Sequence, residues 1–391
     1  MTANPERQME RQPLPYWYQR EDVKHIYDQI EAGEFCELVG IGSGGKSNLV
    51  NLAVREDVKA HYLGPQKAPY VVVVLLNPHL LVKLEGDARS HTGTLWAGYE
   101  LMLNRLRRQL FAPEHQQIMP ETRRTDLNDA VEAYYINMYH QTPVIAQAGI
   151  RHLEDVIYEL LSMDEEWRIA FIFDEFEQFI DSLNAEFFQS LRGLRDAYKG
   201  RVMYVTTSRE PLKTLMERRP FDDHQRALME GFVELFGGHR RYIRPLDEQS
   251  ANEAIRRLES RFRQQMKQGR LRPSVASNLI YVSGGHVGLL RRSFLPASTT
   301  IAPRIADDKL ELIRALVQHP GVADECQAMI NSLSQREIAV LKRLLRDRPI
   351  EDDEAWISLR HKHLVDEDRN GRHYWQIPLL AAWCAEHEAE L

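Results

Sequence analysis

Residues 38–49 read LVGIGSGGKSNL, and Gly40-Ile41-Gly42-Ser43-Gly44-Gly45-Lys46-Ser47 meets the spacing G-x-x-x-x-G-K-[ST] at every fixed position. Glycines so placed let successive backbone N–H groups turn into one concavity that receives phosphate oxygens. A lysine there reaches the β- and γ-phosphates, and a serine hydroxyl is a hard oxygen donor suited to Mg²⁺. The spacing predicts that Gly40, Gly42, Ser43, Gly44, Gly45, Lys46, Ser47 and Asn48 cradle a nucleoside triphosphate, with Lys46 at the surface rather than in a core. Such a loop needs a carboxylate from a neighbouring buried strand to help hold the metal. The segment IAFIFDEFEQF supplies it: Asp174, where the apolar run stops, is expected to bind Mg²⁺ through water, and Glu175 to polarise an attacking water. Glu177 is expected to face solvent. A later run ends in YVTTSREPL, where Thr207, Ser208 and Arg209 are candidates to touch the γ-phosphate, Arg209 having the reach and the fixed charge.

These groups converge only if strands carry them. FCELV leads into the loop, and the β-branched runs YVVVVLLN (70–77), RIAFIF (168–173) and RVMYVTT (201–207) read as strands buried on both faces. Helical patterns precede the last three, and RRYIRPL (240–246) would add a fifth strand. Alternating strands and helices predict an α/β fold with a mainly parallel five-stranded sheet. Residues 1–15, polar and proline-bearing, are expected to form a flexible arm, and 16–246 the nucleotide-binding domain, with an insertion over 112–150. Residues 247–330 are read as a basic helical lid. Over 331–391, SQRE has the form of a capping box, and DEDRNGRHYWQI is a hairpin signal with Asn-Gly at its turn. Helix, helix, hairpin and helix is a winged-helix pattern.

The order of phosphate loop, FIFDEFE, TTSRE, RPLDEQSANEAI, GGHVGLL and winged helix resembles the P-loop ATPases of the STAND class and their AAA+ relatives of the origin-recognition type. The resemblance implies an ATP-switched module in which lid and winged helix close over nucleotide. YWYQRED resembles the box that packs near adenine, which implies a contact from Arg20; Gln19 stands where glycine is usual. GGHVGLL resembles the lid motif, with Val287 in the usual place of a proline that touches nucleotide, so that Arg291 or Arg292 is expected to act instead. No NKxD-type motif that reads guanine is present, and ATP with Mg²⁺ is the expected ligand pair. Arg192, Arg195, Arg218 and Arg219 are candidates to reach a neighbouring subunit's phosphate.

The net charge of −7 gives no global attraction to nucleic acid or anionic membrane. Cys36, Cys326 and Cys384 have no paired spacing, which suggests neither a disulfide framework nor a zinc site and fits a reducing cytoplasm. No apolar stretch is long enough to span a bilayer. The expected function is an ATP-hydrolysing switch that controls self-assembly or a separate effector or sensor protein. The alternatives are a DNA-associated ATPase of the loader type and a nucleotide-binding scaffold. From residue 333 onward acids outnumber bases, which disfavours DNA.

Overall fold

The computed structural model describes residues 13–82, 91–140, 146–266, 269–389 and 391. Most of the expected arm and positions 141–145 of the expected insertion lie outside the described residues. The chain forms two compact units, one of residues 21–39 and 46–241, the other of residues up to 20 with 40–45 and 242–391.

The first unit is built on five strands: β1 (Cys36–Val39), β2 (Val71–Leu76), β3 (Arg168–Phe173), β4 (Val202–Ser208) and β5 (Arg240–Tyr242), in the order β2-β3-β4-β1-β5. The pairings β2/β3, β3/β4 and β4/β1 are parallel. Parallel strands need crossover segments that cover the faces of the sheet, which is why Val71–Val74 and Ile169–Phe173 are buried without alternation. The carboxyl ends of β1, β3 and β4 therefore lie side by side with β4 in the middle. Side chains at the carboxyl end of β4 are thus within reach of the residues just after β3. The fifth strand ends at Tyr242 rather than at 246, because Pro245 has no N–H for a ladder and restricts Arg244 before it.

Among the helices of this unit are α1 (Arg20–Ala32), α2 (Lys46–Ala53), α3 (His91–Leu110), α4 (Glu121–His140), α5 (Ala146–Leu161), α6 (Phe176–Ser182), α7 (Ala185–Ala197) and α8 (Asp223–Val233). An aromatic core joins them to the sheet: Phe171, Phe173 and Tyr204 from the strands meet Phe176, Phe187, Phe188 and Phe232 from the helices. Phe176 stacks on Phe232 at 5.8 Å between ring centroids. Each such ring contributes roughly 2 kcal/mol by leaving water. Gly98 of α3 is dictated by this packing, since a Cβ there would come within 2.4 Å of the Phe187 ring.

The second unit is mainly helical: α9 (Glu248–Phe262), α10 (Pro273–Ser283), α11 (Val287–Thr299), α12 (Lys309–Val317), α13 (Pro320–Asn331), α14 (Gln335–Leu345), α15 (Asp353–His361) and α16 (Pro378–Glu386). A hairpin of β6 (Val365–Glu367) and β7 (His373–Trp375) separates α15 from α16. Asp247 caps α9 through the Ser250 N–H, and the Ser334–Glu337 capping box opens α14 as its sequence predicts. Glu337 also accepts from Lys362 Nζ at 2.6 Å and Ser358 Oγ at 2.7 Å, a buried polar cluster that ties α14 to α15. Burial alone would raise the Glu337 carboxyl, but these partners hold it below the ordinary range. The acids expected to make the 331–391 surface anionic are largely paired nearby: Asp352 and Glu354 with Arg336, Glu351 with Arg343.

Candidate nucleotide site

At the end of β3, Asp174 is 7% exposed and its Oδ1 accepts from the Thr207 hydroxyl at 2.7 Å and the Glu175 N–H at 3.1 Å. The Thr207 oxygen in turn accepts from the Glu175 N–H at 3.1 Å. The last residues of β4 thus orient the carboxylate at the end of β3, as the strand order requires. Of the three candidates at the end of β4, Thr207 is engaged with Asp174, Ser208 donates to the Glu210 carbonyl at 2.7 Å, and Arg209 is exposed with its Nε 3.4 Å from Glu177. Glu177 does not face solvent as expected. Its side chain is 17% exposed, and burial raises its carboxyl above the ordinary value against the opposing pull of Lys46 and Arg209.

The cause lies just before it in the chain. Glu175 has a left-handed backbone (φ 52), a conformation that costs a non-glycine residue about 1–3 kcal/mol and is tolerated at functional sites. This break from extended geometry starts α6 abruptly and swings Glu177 back toward Lys46. The Glu175 carboxylate is held by the Gln178 amide and faces His79 Nε2 at 3.5 Å. The His79 contact is not legible in the sequence, since His79 lies just beyond β2 and reaches Glu175 only through the β2/β3 pairing.

Lys46 opens α2 and is 8% exposed, not a surface residue. Its position on the first turn brings it against the acids at the end of β3. Burial lowers its ammonium to about 8, with Glu177, Asp174 and Glu175 opposing that fall and Arg209 adding to it. Ser47 and Asn48 are exposed beside it. The N–H groups of this first turn have no intrahelical acceptor, the condition under which a helix N-terminus takes up an anion.

Residues 40–45 of the loop belong to the second unit. Ser43 (φ 55) and Gly45 (φ 95) are left-handed, and Gly44 N–H donates to the Ile41 carbonyl at 3.2 Å. The start of α11 fastens the loop from outside. Gly288 N–H donates to the Ser43 carbonyl at 3.1 Å, and His286 Nε2 lies 3.1 Å from the Gly42 carbonyl. Leu289 N–H donates to His286 Nδ1 at 3.3 Å, so the ring proton sits on Nε2 and is given to Gly42. A loop that turns N–H groups toward an anion must send carbonyls the other way, and here the helix satisfies them. Gly288 is required, because a Cβ would fall 2.3 Å from Glu325 Oε1 and 2.6 Å from Ser43 Cβ. Val287 packs on Gly45, its Cγ2 3.1 Å from where a Cβ would stand. Arg20 and Arg291 are exposed, and Arg292 pairs loosely with buried Glu325 at 3.8 Å. The arginines considered for action in trans have acidic neighbours of their own: Arg192 with Glu234, Arg195 with Asp196, Arg218 with Glu210 and Arg219 with Asp181.

His286 is a poor helix cap by type, which points to its second arm. Asparagine reproduces the Nδ1 acceptor and glutamine the Nε2 donor. His286→Asn is expected to keep the melting temperature and expose the amides of residues 41–46 to faster hydrogen exchange; His286→Gln is expected to lower the melting temperature by a few degrees while keeping those amides protected. Equal exchange in both variants would show that the Gly42 contact does not hold the loop.

No protein-family model matches the chain, and no curated protein matches it. Among solved structures, the chain is similar to the Walker-type ATPase PABY2304 of Pyrococcus abyssi, at 13% identity over 93% of this chain and 95% of that one, with a TM-score of 0.45. It is also similar to the ORC2 protein of Aeropyrum pernix in its ADP form, at 13% identity over 98% and 97% of the two chains (TM-score 0.43), and to Cdc6p from Pyrobaculum aerophilum, at 12% identity over 97% and 96% (TM-score 0.38). Each TM-score is below 0.5, so the functional assignment rests on the residues themselves. Those residues join a phosphate-loop sequence, a buried lysine at a helix start and two acids at the end of a parallel strand.

Proposed function

We propose that the chain is a Mg²⁺-dependent ATPase acting as a nucleotide-controlled switch. The observation that carries this reading is Lys46, an ammonium buried at the first turn of α2 against the acids at the end of β3, with its pKa pulled down to about 8 by burial. A cation kept in that state suits a site completed by a polyanion. Mg²⁺ fits the donors present: Asp174 engages Oδ1 with Thr207 and the Glu175 N–H, which leaves Oδ2 for a ligand, and the Ser47 hydroxyl belongs to an exposed residue of α2. When bound, the metal would neutralise charge on the β- and γ-phosphates. The amides of residues 42–48 and Lys46 bind phosphate, Asp174 and Ser47 would hold the metal, Glu175 takes the proton of the attacking water, and Arg209, freed from Glu177, contacts the γ-phosphate. Arg20 and Arg291 or Arg292 complete the contacts to the nucleotide.

In this reading the switch is the set of contacts from His286, Val287 and Gly288 to the loop, whose strength differs between ATP and ADP by the differential affinity of the two states. Its output is self-association or a separate partner. A second reading, DNA association, is favoured by the hairpin tip, where Arg369 and Arg372 are both exposed. Against it, much of the basic surface of the second unit is neutralised: Arg256 and Arg257 share Glu253, and Arg272 pairs with Asp307. One experiment separates the two. In a Glu175→Gln background, hydrogen exchange of residues 284–292 and 333–377 and native mass are compared with ATP, ADP, and ATP plus duplex DNA. The switch requires ATP and ADP to differ without DNA. Identical nucleotide profiles, with change only on adding duplex and loss of that change at high salt, would support the DNA reading.

A further inference from the structure

Within the first unit, Glu56, Glu114 and His115 each offer a ligand atom within 4.8 Å of the other two. Glu56 opens the helix Glu56–Leu63, and Glu114 and His115 lie on the short helix Pro113–Gln116, where the expected insertion begins. The cluster meets the sheet at Val71, the first residue of β2, whose carbonyl accepts from Lys59 Nζ at 2.7 Å. The acids of the nucleotide site follow the last residue of β3, which runs parallel to β2, so the two places lie at opposite ends of the sheet. His115 is fully buried, and its Nδ1 is 2.7 Å from the Pro69 carbonyl, so Nδ1 carries the ring proton and Nε2 keeps a bare lone pair. A carbonyl on one ring nitrogen is how proteins orient a histidine that ligates metal through the other. What Nε2 meets is Lys59 Nζ at 3.5 Å, too long for a good hydrogen bond. Lys59 makes its short contacts to the Val71 carbonyl and to Glu56 Oε2, both at 2.7 Å. Its single charge therefore faces two carboxylates and leaves one of them uncompensated.

We propose that Glu56, Glu114 and His115 Nε2 form a structural site for a divalent transition metal of the zinc class, and that Lys59 is the resident cation which the metal displaces from Glu56. One imidazole nitrogen and two carboxylate oxygens are a donor set that zinc accepts, with water in the fourth position; the nitrogen disfavours Ca²⁺ and Mg²⁺. Zinc bonds of about 2.1 Å set ligand atoms about 3.4 Å apart, so the two partly exposed glutamate side chains close in by about 1 Å on a ring that stays in place. The dication neutralises both carboxylates, and Lys59 keeps the Val71 carbonyl. The bound metal fastens the start of the 112–150 insertion to the helix beside the first residue of β2, a role for that segment which does not depend on the nucleotide reading. Lys59 opposes the metal by charge, so its removal strengthens binding.

The test is titration of the metal-free, nucleotide-free full chain with Co²⁺, read by its visible ligand-field absorption, followed by competition with Zn²⁺ and by melting curves with and without Zn²⁺. The wild type is expected to show a saturable band that Zn²⁺ displaces, and to melt several degrees higher with Zn²⁺. The band should persist in Asp174→Asn, which sets it apart from the nucleotide site. Glu114→Gln and Glu56→Gln, at partly exposed positions, are each expected to weaken Co²⁺ binding by at least about tenfold. Lys59→Met is expected to melt lower without metal and to bind Co²⁺ about tenfold more tightly. Absence of the band in the wild type, or a band of equal affinity in both glutamate variants, would overturn the assignment. A Lys59→Met protein that binds Co²⁺ no better than the wild type would overturn it as well, by showing the cluster to be an ion-pair network built around the lysine.

Discussion

Replacing Lys46 with methionine is expected to weaken Mg-ATP binding by at least about 100-fold, the loss of a buried charged hydrogen bond to phosphate, and to raise the stability of the nucleotide-free protein. The second effect is one of linkage. The folded-state pKa is about 8 against an ordinary 10.5, so the unfolded chain holds the proton more tightly and Lys46 opposes folding. Below pH 8 both states are protonated and the cost is present in full, at about 3 kcal/mol. It fades between pH 8 and 10.5 as the folded state gives up its proton first. Methionine keeps the apolar stem and removes the charge, so the variant should melt higher than the wild type at pH 7, with the gap closing by pH 10. Melting curves at both pH values, with and without Mg-ATP, report the two effects together. An unchanged ATP-induced rise in the variant would remove Lys46 from the phosphate site.

Glu175→Gln is expected to lower turnover by about 10²–10⁴-fold while leaving Mg-ATP affinity within a few-fold of the wild type. The amide keeps the shape and can still meet Gln178 and His79 but cannot hold a proton from water. Asp174→Asn differs because Asp174 is buried and bonded to Thr207. The variant should lose metal-dependent affinity as well as turnover, with nucleotide binding in EDTA unchanged. Equilibrium binding with Mg²⁺ and with EDTA, beside single-turnover rates, separates the two acids. Normal turnover in Glu175→Gln would place the water-orienting group elsewhere.

The sheet is legible because buried parallel strands leave uninterrupted runs such as VVVVLL, and the loop because its chemistry demands glycines and a lysine at fixed spacing. Asn370-Gly371 marks the hairpin and Ser334–Glu337 the cap, both local interactions written within a few residues. The features that escape such reading are decided at long range or by one backbone angle. Glu177 is one of them, because alternation along an extended strand stops at Glu175, whose left-handed φ no pattern of residue types announces. Lys46 is buried because the acids at the end of β3 and the first turn of α2 meet in space. His286 bonds Gly42 from far along the chain, and its signal is an anomaly of type: a histidine where a short polar cap is usual.

The central claim, that the phosphate loop and the two acids at the end of β3 form a hydrolytic ATP site, is tested most directly by release of inorganic phosphate from Mg-ATP by the purified chain. The assay is monitored continuously, with Lys46→Met and Glu175→Gln measured in parallel. The expected result is Mg²⁺-dependent release by the wild type that saturates with ATP, is abolished in both variants and is absent with EDTA. Release that persists undiminished in Lys46→Met and Glu175→Gln, or a wild type that binds Mg-ATP and releases no phosphate, would contradict it.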